Sequence, residues 1–313
     1  MVVSLREIDV RSVAGNSILA CTFRSVDTIK QVKKLIQKLC CIPFFQQELL
    51  LGSTIADDAE TLARLPHGLF LTLVVLPYVA EMARPLLTSA SSGDMLAATQ
   101  ALKSRADPNC ADEFGRTPLY CAASKGHNSI VGMLCQLCVD VDRLALGGAP
   151  TALAAAAARG HLSAVVLLVG AGADKDIRTH ECVTPLWLAA RHGHVKIVRY
   201  LCRAGADINK PAPQHGPSKP LSHTLKYHPG GSSPIWIAAA DNRFSVVRFL
   251  YSVGANCWQP NQEGITAVSV ALRCSSVNDL GGIALSCYLC AFSFATFFMN
   301  GLGRIYNEIH VTS

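Results

Sequence analysis

A repeat with a period of 33 or 34 residues constrains the fold of this chain more than any other feature of its sequence. A Thr or Ser, an apolar helical segment and a Gly-His or related turn recur at spacings of 34, 33 and 49 residues. The clear copies begin at Thr117, Thr151, Thr184 and Ser233. Each is followed by a second apolar-periodic segment that closes in Gly-Ala-Asp or a relative of it. Repeats of this length indicate helix-turn-helix units that stack into a solenoid, because one unit cannot bury its apolar face alone.

The third copy, Thr184 to His194 (TPLWLAARHGH), shows the pattern most clearly and resembles the ankyrin repeat. Its Thr-Pro pair starts the first helix, with Pro in the first turn where its missing N–H costs nothing. The resemblance implies an all-α ankyrin array over residues 84–276. Its parts are an N-terminal cap at 84–111, repeats near 112–145, 146–178, 179–209 and 232–260, and a half repeat at 261–276.

The repeats depart from the ankyrin pattern in two ways. Ankyrin repeats usually carry His after Thr-Pro-Leu, whereas Tyr120, Ala154, Trp187, Trp236 and Ser269 stand there. We therefore expect packing to fasten these units. The 49-residue spacing also places extra residues within 210–231, a segment with five prolines and no acidic residue. This composition favours an exposed finger-loop insertion over a domain.

Residues 1–79 follow a different pattern, in which short apolar runs surround one helical segment. Ser17 to Phe23 and Leu69 to Leu76 are rich in strand-forming residues. A helix begins at Asp27 or Thr28 and has apolar residues on one face. The order β-β-α-β-β predicts a small α+β roll, so the fold class is multidomain.

This roll resembles ubiquitin, and the motifs that carry the resemblance follow one another without a gap. They are Asp27-Thr28-Ile29, Val32-Lys33, Ile36-Gln37-Lys38, Ile42-Pro43, Gln46-Gln47, Leu49-Leu50, Asp57-Asp58 and Thr61-Leu62. The resemblance implies a ubiquitin-like β-grasp domain. Phe44-Phe45 stands where ubiquitin has polar or proline residues, and the pair is either an exposed contact or packs on the first ankyrin unit.

The ubiquitin resemblance also implies a docking surface. The family's apolar recognition patch maps onto Val13, Leu50 and Val74, whereas its basic rim is replaced by Glu48, Thr54 and Val75. The chain continues through residues 76–79 (LPYV) without a di-glycine terminus. We therefore expect a built-in docking domain that is not conjugated to other proteins.

Enzyme and metal signatures are absent from the sequence. There is no Gly-rich phosphate loop, no Gly-x-Ser-x-Gly elbow and no kinase motif set. The pairs Cys135/Cys138 and Cys287/Cys290 do not form a four-ligand zinc pattern and are interpreted as core cysteines. We expect no catalytic residue, metal or cofactor. The net charge of +6 includes no run of five like charges, so no nucleic-acid partner is expected either.

Binding is the remaining function class. In ankyrin arrays the two positions just before Gly-His point into the concave face. Here they supply Lys125, Arg159, Arg191 and Arg273, a mildly basic row that suits an acidic segment of a protein partner, with His192 beside Arg191. The sequence thus predicts a non-enzymatic adaptor. A membrane-anchored regulatory subunit and a substrate receptor in ubiquitin transfer are the alternatives.

The tail at 277–313 is apolar and allows several interpretations. Leu280 to Gly303 has 24 residues without a charge, enough for the roughly 20 residues that cross a bilayer. Several Gly, Ser and Asn residues dilute its hydrophobicity, and Arg304 alone supplies positive flanking charge. A tail anchor, packing on the array and a replaced C-terminus all remain open. Packing is preferred, and with scattered cysteines and no secretory signal the expected location is the cytoplasm.

Overall fold

The computed structural model describes residues 5–14, 16–24, 27–64, 70–137, 139–144, 150–179, 183–212 and 230–274. The described residues form two compact units. One lies within Met1–Ala122 and His127–Asp140, and the other comprises Ala123–Gly126 and the residues from 141 onward. Most of the predicted insertion, Cys138 and the predicted apolar tail lie outside the described residues.

The first unit contains a five-stranded mixed sheet. Its strands are β1 (Leu5–Ser12), β2 (Ser17–Arg24), β3 (Gln47–Leu51), β4 (Thr54–Ile55) and β5 (Phe70–Val75), in the order β2-β1-β5-β3-β4. Strand β1 runs parallel to β5, and the other pairs are antiparallel. Helix α1 (Ile29–Cys40) buries Ile29, Val32 and Ile36 against the sheet's inner face. This α+β arrangement fits a β-grasp.

Helix α1 begins where the sequence predicts. The Thr28 N–H donates a hydrogen bond to the Gln31 side chain three residues later, which satisfies a backbone donor that the helix itself cannot pair. Apolar residues spaced three and four apart then form one buried stripe. The helix ends at Cys40, and the next residue, Cys41, has a positive φ of 55° that stops it.

Helices follow the sheet within the same unit. They are α2 (Ala83–Ser92), α3 (Met95–Lys103) and α5 (Asn128–Cys135), while α4 (Pro118–Lys125) extends across the division between the units. The Val79 N–H donates to the Arg105 carbonyl at 2.9 Å. The Gln37 side-chain amide donates to the Gln136 carbonyl at 2.7 Å. These bonds attach the sheet and α1 to the first helices of the array.

The second unit is a stack of helix pairs. The pairs are α6 (Ala152–Arg159) with α7 (Leu162–Gly170), α8 (Pro185–His192) with α9 (Val195–Arg203), and α10 (Pro234–Ala240) with α11 (Phe244–Ser252), followed by α12 (Ala267–Cys274). First helices contact first helices along α6, α8, α10 and α12, and second helices contact each other along α7, α9 and α11. This is the helical solenoid that the repeat predicts.

The recurring Thr or Ser has a capping role at the start of each first helix. The side-chain oxygens of Thr151, Thr184 and Ser233 accept hydrogen bonds from the N–H three residues later, at 3.2 to 3.4 Å. All three residues are almost completely buried. A buried helix end needs such a partner, because its first N–H groups have no acceptor within the helix.

The residue at the end of the Gly-His turn forms a hydrogen bond back to the preceding repeat. The His194 Nε2 lies 3.0 Å from the Ala158 carbonyl, and in the next unit the Arg243 Nε donates to the Arg191 carbonyl at 3.0 Å. Gly160 makes room for this contact, since a Cβ there would lie 2.8 Å from the His194 ring. The recurrence of His is therefore structural, and Arg243 takes its place in the unit after the insertion.

Asp and Asn side chains in the finger loops form a second set of hydrogen bonds between successive repeats. In each case the side-chain oxygen accepts a hydrogen bond from a backbone N–H of the following repeat at 2.8 to 3.1 Å. The pairs are Asn109 with Asp140, Asp142 with Asp174, Asp176 with Asp207, and Asn209 with Asn256. Trp258 occupies the next acceptor position and is 57% exposed. An indole cannot accept such a bond, so this series ends at Asn209 within the described residues.

Two tryptophans correct the expectation that packing alone fastens the units without His. The Trp187 Nε1 donates to the Ser232 carbonyl at 3.1 Å, and the Trp236 Nε1 donates to the Ile265 carbonyl at 3.0 Å. Both rings are buried, and a buried indole N–H requires an acceptor. Each Trp therefore combines packing with a hydrogen bond to the loop of the next unit.

We predict that Trp187→Phe and Trp236→Phe each lower the free energy of unfolding by about 1 to 2 kcal/mol. Each change removes one hydrogen bond and part of a buried ring. Urea denaturation followed by circular dichroism measures the effect. The matched control is Trp258→Phe, which should leave the midpoint unchanged because its ring is largely exposed. Equal midpoints for all three variants would show that the indole bonds do not stabilise the array.

Candidate protein-binding surfaces

The predicted basic residues lie in the last turns of successive first helices. Lys125 ends α4, Arg159 ends α6, and Arg191 and His192 end α8. The side chains of Lys125, Arg159 and His192 are exposed. Gly160 and Gly193 end α6 and α8 at equivalent points of the repeat. The residues just before these glycines therefore occupy equivalent positions in successive first helices.

Arg191 departs from the expected exposed row because only 8% of its surface is accessible. Its Nε lies 3.7 Å from an Asp241 carboxylate oxygen, and its guanidinium lies 5.8 Å from the centroid of the Trp187 ring. Asp241 caps the C-terminal end of α10. The Arg191 charge is therefore used to link two neighbouring units, and the exposed basic row is interrupted at this position.

His192 lies in a positively charged environment. Its ring stacks on that of His194, with centroids 6.1 Å apart. Although the His192 side chain is exposed, partial desolvation of its ring lowers its pKa below the ordinary value of 6.5; the nearby Arg191, His194 and Arg243 lower it further, while Asp241 acts in the opposite direction. At neutral pH this side chain is therefore uncharged and offers hydrogen bonds instead of a positive charge.

We predict that His192 titrates below pH 6.5 and that Asp241→Asn lowers its pKa further, because the carboxylate that favours the protonated ring is removed. NMR titration of the ring protons measures both values. Since the folded protein disfavours protonation, His192 should reduce stability as the pH falls below 6.5. The control Glu263→Gln changes an exposed acid elsewhere in the second unit and should not move the titration. A midpoint at or above 6.5 would contradict the prediction.

The predicted apolar patch lies on the outer face of the sheet. Leu50 on β3 and Val74 on β5 belong to adjacent antiparallel strands and are half-buried. Their chain neighbours Leu49 and Leu73 point into the core, so period-two alternation places Leu50 and Val74 on the opposite face. Val13 follows β1 and is 76% exposed.

The structure adds Phe70 to this outer face. Phe70 shares the alternation of Val74 along β5, and its ring is 43% exposed. The Arg11 guanidinium lies 4.5 Å from the ring centroid. Sequence reasoning missed this residue because the resemblance identified only three patch positions. The available signal was that this aromatic residue starts a strand and that the residue after it, Leu71, is buried, which places Phe70 on the opposite face.

The cysteines whose side chains the structure describes are reduced thiols. Those at Cys40, Cys41, Cys110, Cys121, Cys135, Cys202 and Cys257 form no disulfide. Burial raises the pKa of Cys202 to about 11 and also raises the pKa values of Cys121, Cys135 and Cys257. A thiol that stays protonated at neutral pH is a poor nucleophile. Within the described ranges, no group of three or more His, Cys, Asp or Glu side chains is arranged to hold a metal ion.

None of the helices in the described part of the chain is both long enough and apolar enough to cross a membrane. The apolar stretch from Leu280 to Gly303 lies outside that part.

Comparison with known proteins identifies the repeats. A family model described as ankyrin repeats (three copies) matches residues 86–179 and 137–212. Ankyrin repeat domain-containing protein 46 of Rattus norvegicus is 36% identical over 118 residues, which are 37% of this chain and 50% of that protein. Ankyrin repeat and KH domain-containing protein mask-1 of Caenorhabditis elegans is 32% identical over 126 residues, 40% of this chain and 5% of that protein.

A third relative is the probable E3 ubiquitin-protein ligase XBOS33 of Oryza sativa subsp. japonica, 39% identical over 93 residues, which are 29% of this chain and 18% of that protein. The matched part thus spans half or less of the length of each of these relatives. The family match, the relatives and the stacked helix pairs together show that this chain carries ankyrin repeats.

Proposed function

We propose that this chain is a non-enzymatic adaptor that binds a protein partner through the concave face of its ankyrin repeats. The observation that supports this proposal is the exposure of Lys125, Arg159 and His192 in the last turns of successive first helices. Ankyrin repeats mediate protein-protein interactions, and exposed side chains that recur at the repeat period face a partner together.

The partner segment that fits this face is acidic. Lys125 and Arg159 carry positive charge and form no ion pair with a described residue. Arg191 contributes little to this field because Asp241 neutralises it. His192 adds hydrogen-bonding capacity at neutral pH and positive charge only in more acidic solution. An acidic segment would be attracted by Lys125 and Arg159 and oriented by His192.

The N-terminal roll is the second part of the proposal. We propose that it is a ubiquitin-like docking domain that uses Val13, Leu50 and Val74. Its mixed sheet with α1 on one face fits a β-grasp, and the half-buried or exposed apolar side chains on the outer face supply contact area. Glu48 lies opposite Val74, so the patch has an acidic neighbour where the ubiquitin resemblance would imply a basic rim.

We predict that Lys125→Glu combined with Arg159→Glu weakens binding of a partner captured by affinity purification with the full chain. Two attractive charges become repulsive, so the expected loss is about tenfold or more. The slope of affinity against salt concentration should also fall, because fewer attractive charges remain to be screened. Isothermal titration calorimetry at several salt concentrations measures both quantities.

The matched control is Lys196→Glu combined with Arg203→Glu, which makes the same charge change at exposed positions of a second helix, α9. This variant should retain most of its affinity, because second helices face away from the concave surface. If the two double variants lose affinity equally, the concave face is not the binding surface.

We predict that the roll is not conjugated to other proteins. In place of a di-glycine terminus the chain continues from Leu76, whose N–H donates to the Gln46 carbonyl, through Val79 into a 3₁₀ turn at Ala80–Met82 and then α2. The chain carrying an N-terminal tag should therefore migrate as one species in cells with an active conjugation system. Tagged ubiquitin in the same cells is the positive control. Covalent adducts through residues 76–79 would refute the prediction.

A further inference from the structure

The first unit contains a groove that the proposed function does not use. It has a volume of about 630 Å³ and is bounded by β3, β4 and the 3₁₀ turn at Phe44–Gln46 on one side and by α3 and α5 on the other. Its apolar lining consists mainly of Phe44, Phe45, Leu76, Leu102, Met133 and Leu137. A volume of this size lies within the range of pockets that hold compact ligands.

The apolar lining is accessible and adaptable. Phe44, Phe45 and Leu76 are each half-buried, as are Met133 and Leu137, so the groove exposes apolar surface that a partner can cover. Met133 has an unbranched side chain that adjusts to different shapes. Burying such surface is favourable in proportion to the apolar area removed from water.

The polar groups on the sheet side of the groove are predominantly acceptors. Glu48 and Asp57 are among its lining residues and form no salt bridge to any described residue; one Asp57 carboxylate oxygen accepts from the Ala59 N–H at 3.1 Å. Gln47 is only 3% exposed; its Nε2 donates to the Ile42 carbonyl, while its Oε1 accepts no hydrogen bond within the described structure. Buried acceptors without a partner are uncommon, and this one adds to the acceptor character of the groove lining.

The positive charges at the groove are largely neutralised on the same side. The Lys33 Nζ lies 2.6 Å from an Asp58 carboxylate oxygen, and only 8% of the Lys33 side chain is exposed. Lys103 on α3 is the remaining lysine among the lining residues. With that pair removed, Glu48 and Asp57 outnumber Lys103, although the chain as a whole has a net charge of +6. The groove is therefore a locally acidic, acceptor-rich site.

We propose that this groove binds a short peptide segment of a protein partner that carries apolar side chains flanked by Lys or Arg. The apolar side chains fill the space between Phe45 and Met133, and the basic flank donates to Glu48 and Asp57. An acidic residue farther along the peptide faces Lys103 and sets its direction. This site differs from the concave face in both position and charge, so it binds a different class of segment.

The experiment begins with selection of short random peptides displayed on phage, with the full chain immobilised as bait. Recovered peptides should be enriched in Leu, Ile or Phe together with Lys or Arg. Each is then synthesised with a fluorescent label, and its affinity for the full chain is measured by fluorescence anisotropy. No enrichment, or enrichment of acidic peptides, would overturn the proposal.

Two variants locate the site. Glu48→Lys combined with Asp57→Lys should weaken the recovered peptides by about tenfold or more and should reverse the preference toward acidic flanks. Leu137→Glu should abolish binding by placing a charge in the apolar lining. Circular dichroism reports whether each variant is folded, and the charge variant remains a test if Leu137→Glu is not.

The matched control is Lys125→Glu combined with Arg159→Glu, which alters the concave face and should leave these peptides unaffected. Loss of peptide binding in this control, together with normal binding in the groove variants, would place the peptide site on the concave face and overturn the groove assignment. The two proposals can thus fail separately.

Discussion

The close approach of the first helices is the constraint on which the second unit depends. Residues 154–157 in α6 and Ala189 and Ala190 in α8 have no accessible surface, so the backbones of neighbouring helices meet across methyl groups. This spacing brings the start of one unit within hydrogen-bonding distance of the next. The caps, the indole bonds and the Asp and Asn bonds of the finger loops all use that spacing. A larger residue at these alanines would force the units apart, because the interior is already densely packed.

Local signals made most of the fold predictable. Thr184 and Ser233 mark helix starts because their side chains satisfy N–H groups only a few residues away. The helix at Thr28 and the β-β-α-β-β order along the chain follow from patterns of similar range, whereas the short β4 and the order of the strands within the sheet were not predicted. The hydrogen bonds between successive repeats were harder to predict. Trp187 pairs with Ser232 across a sequence separation of 45 residues that includes the insertion, so the acceptor could not be identified from spacing.

Arg191 shows why the site was less predictable than the fold. Its position before Gly-His predicted an exposed cation, and Arg159 at the same position of its repeat is exposed. Arg191 differs because the preceding turn of its helix presents a tryptophan ring and the next unit ends its helix with Asp241. Both partners lie outside the local pattern. The same is true of the groove, since the pair Phe44 and Phe45 left two interpretations open and only the placement of α3 and α5 shows what they line.

The charges of the two proposed surfaces determine how they discriminate between partners. The concave face presents Lys125 and Arg159, whereas the groove presents Glu48 and Asp57. A segment that is attracted to one surface is repelled by the other, and repulsion of the wrong ligand contributes to specificity as much as attraction of the right one. Apolar contact alone could not separate two such ligands, because burial of apolar area is non-directional. On the proposed assignment of the two surfaces, the local acidity of the groove within a basic chain would let the chain hold two chemically distinct segments without competition between them.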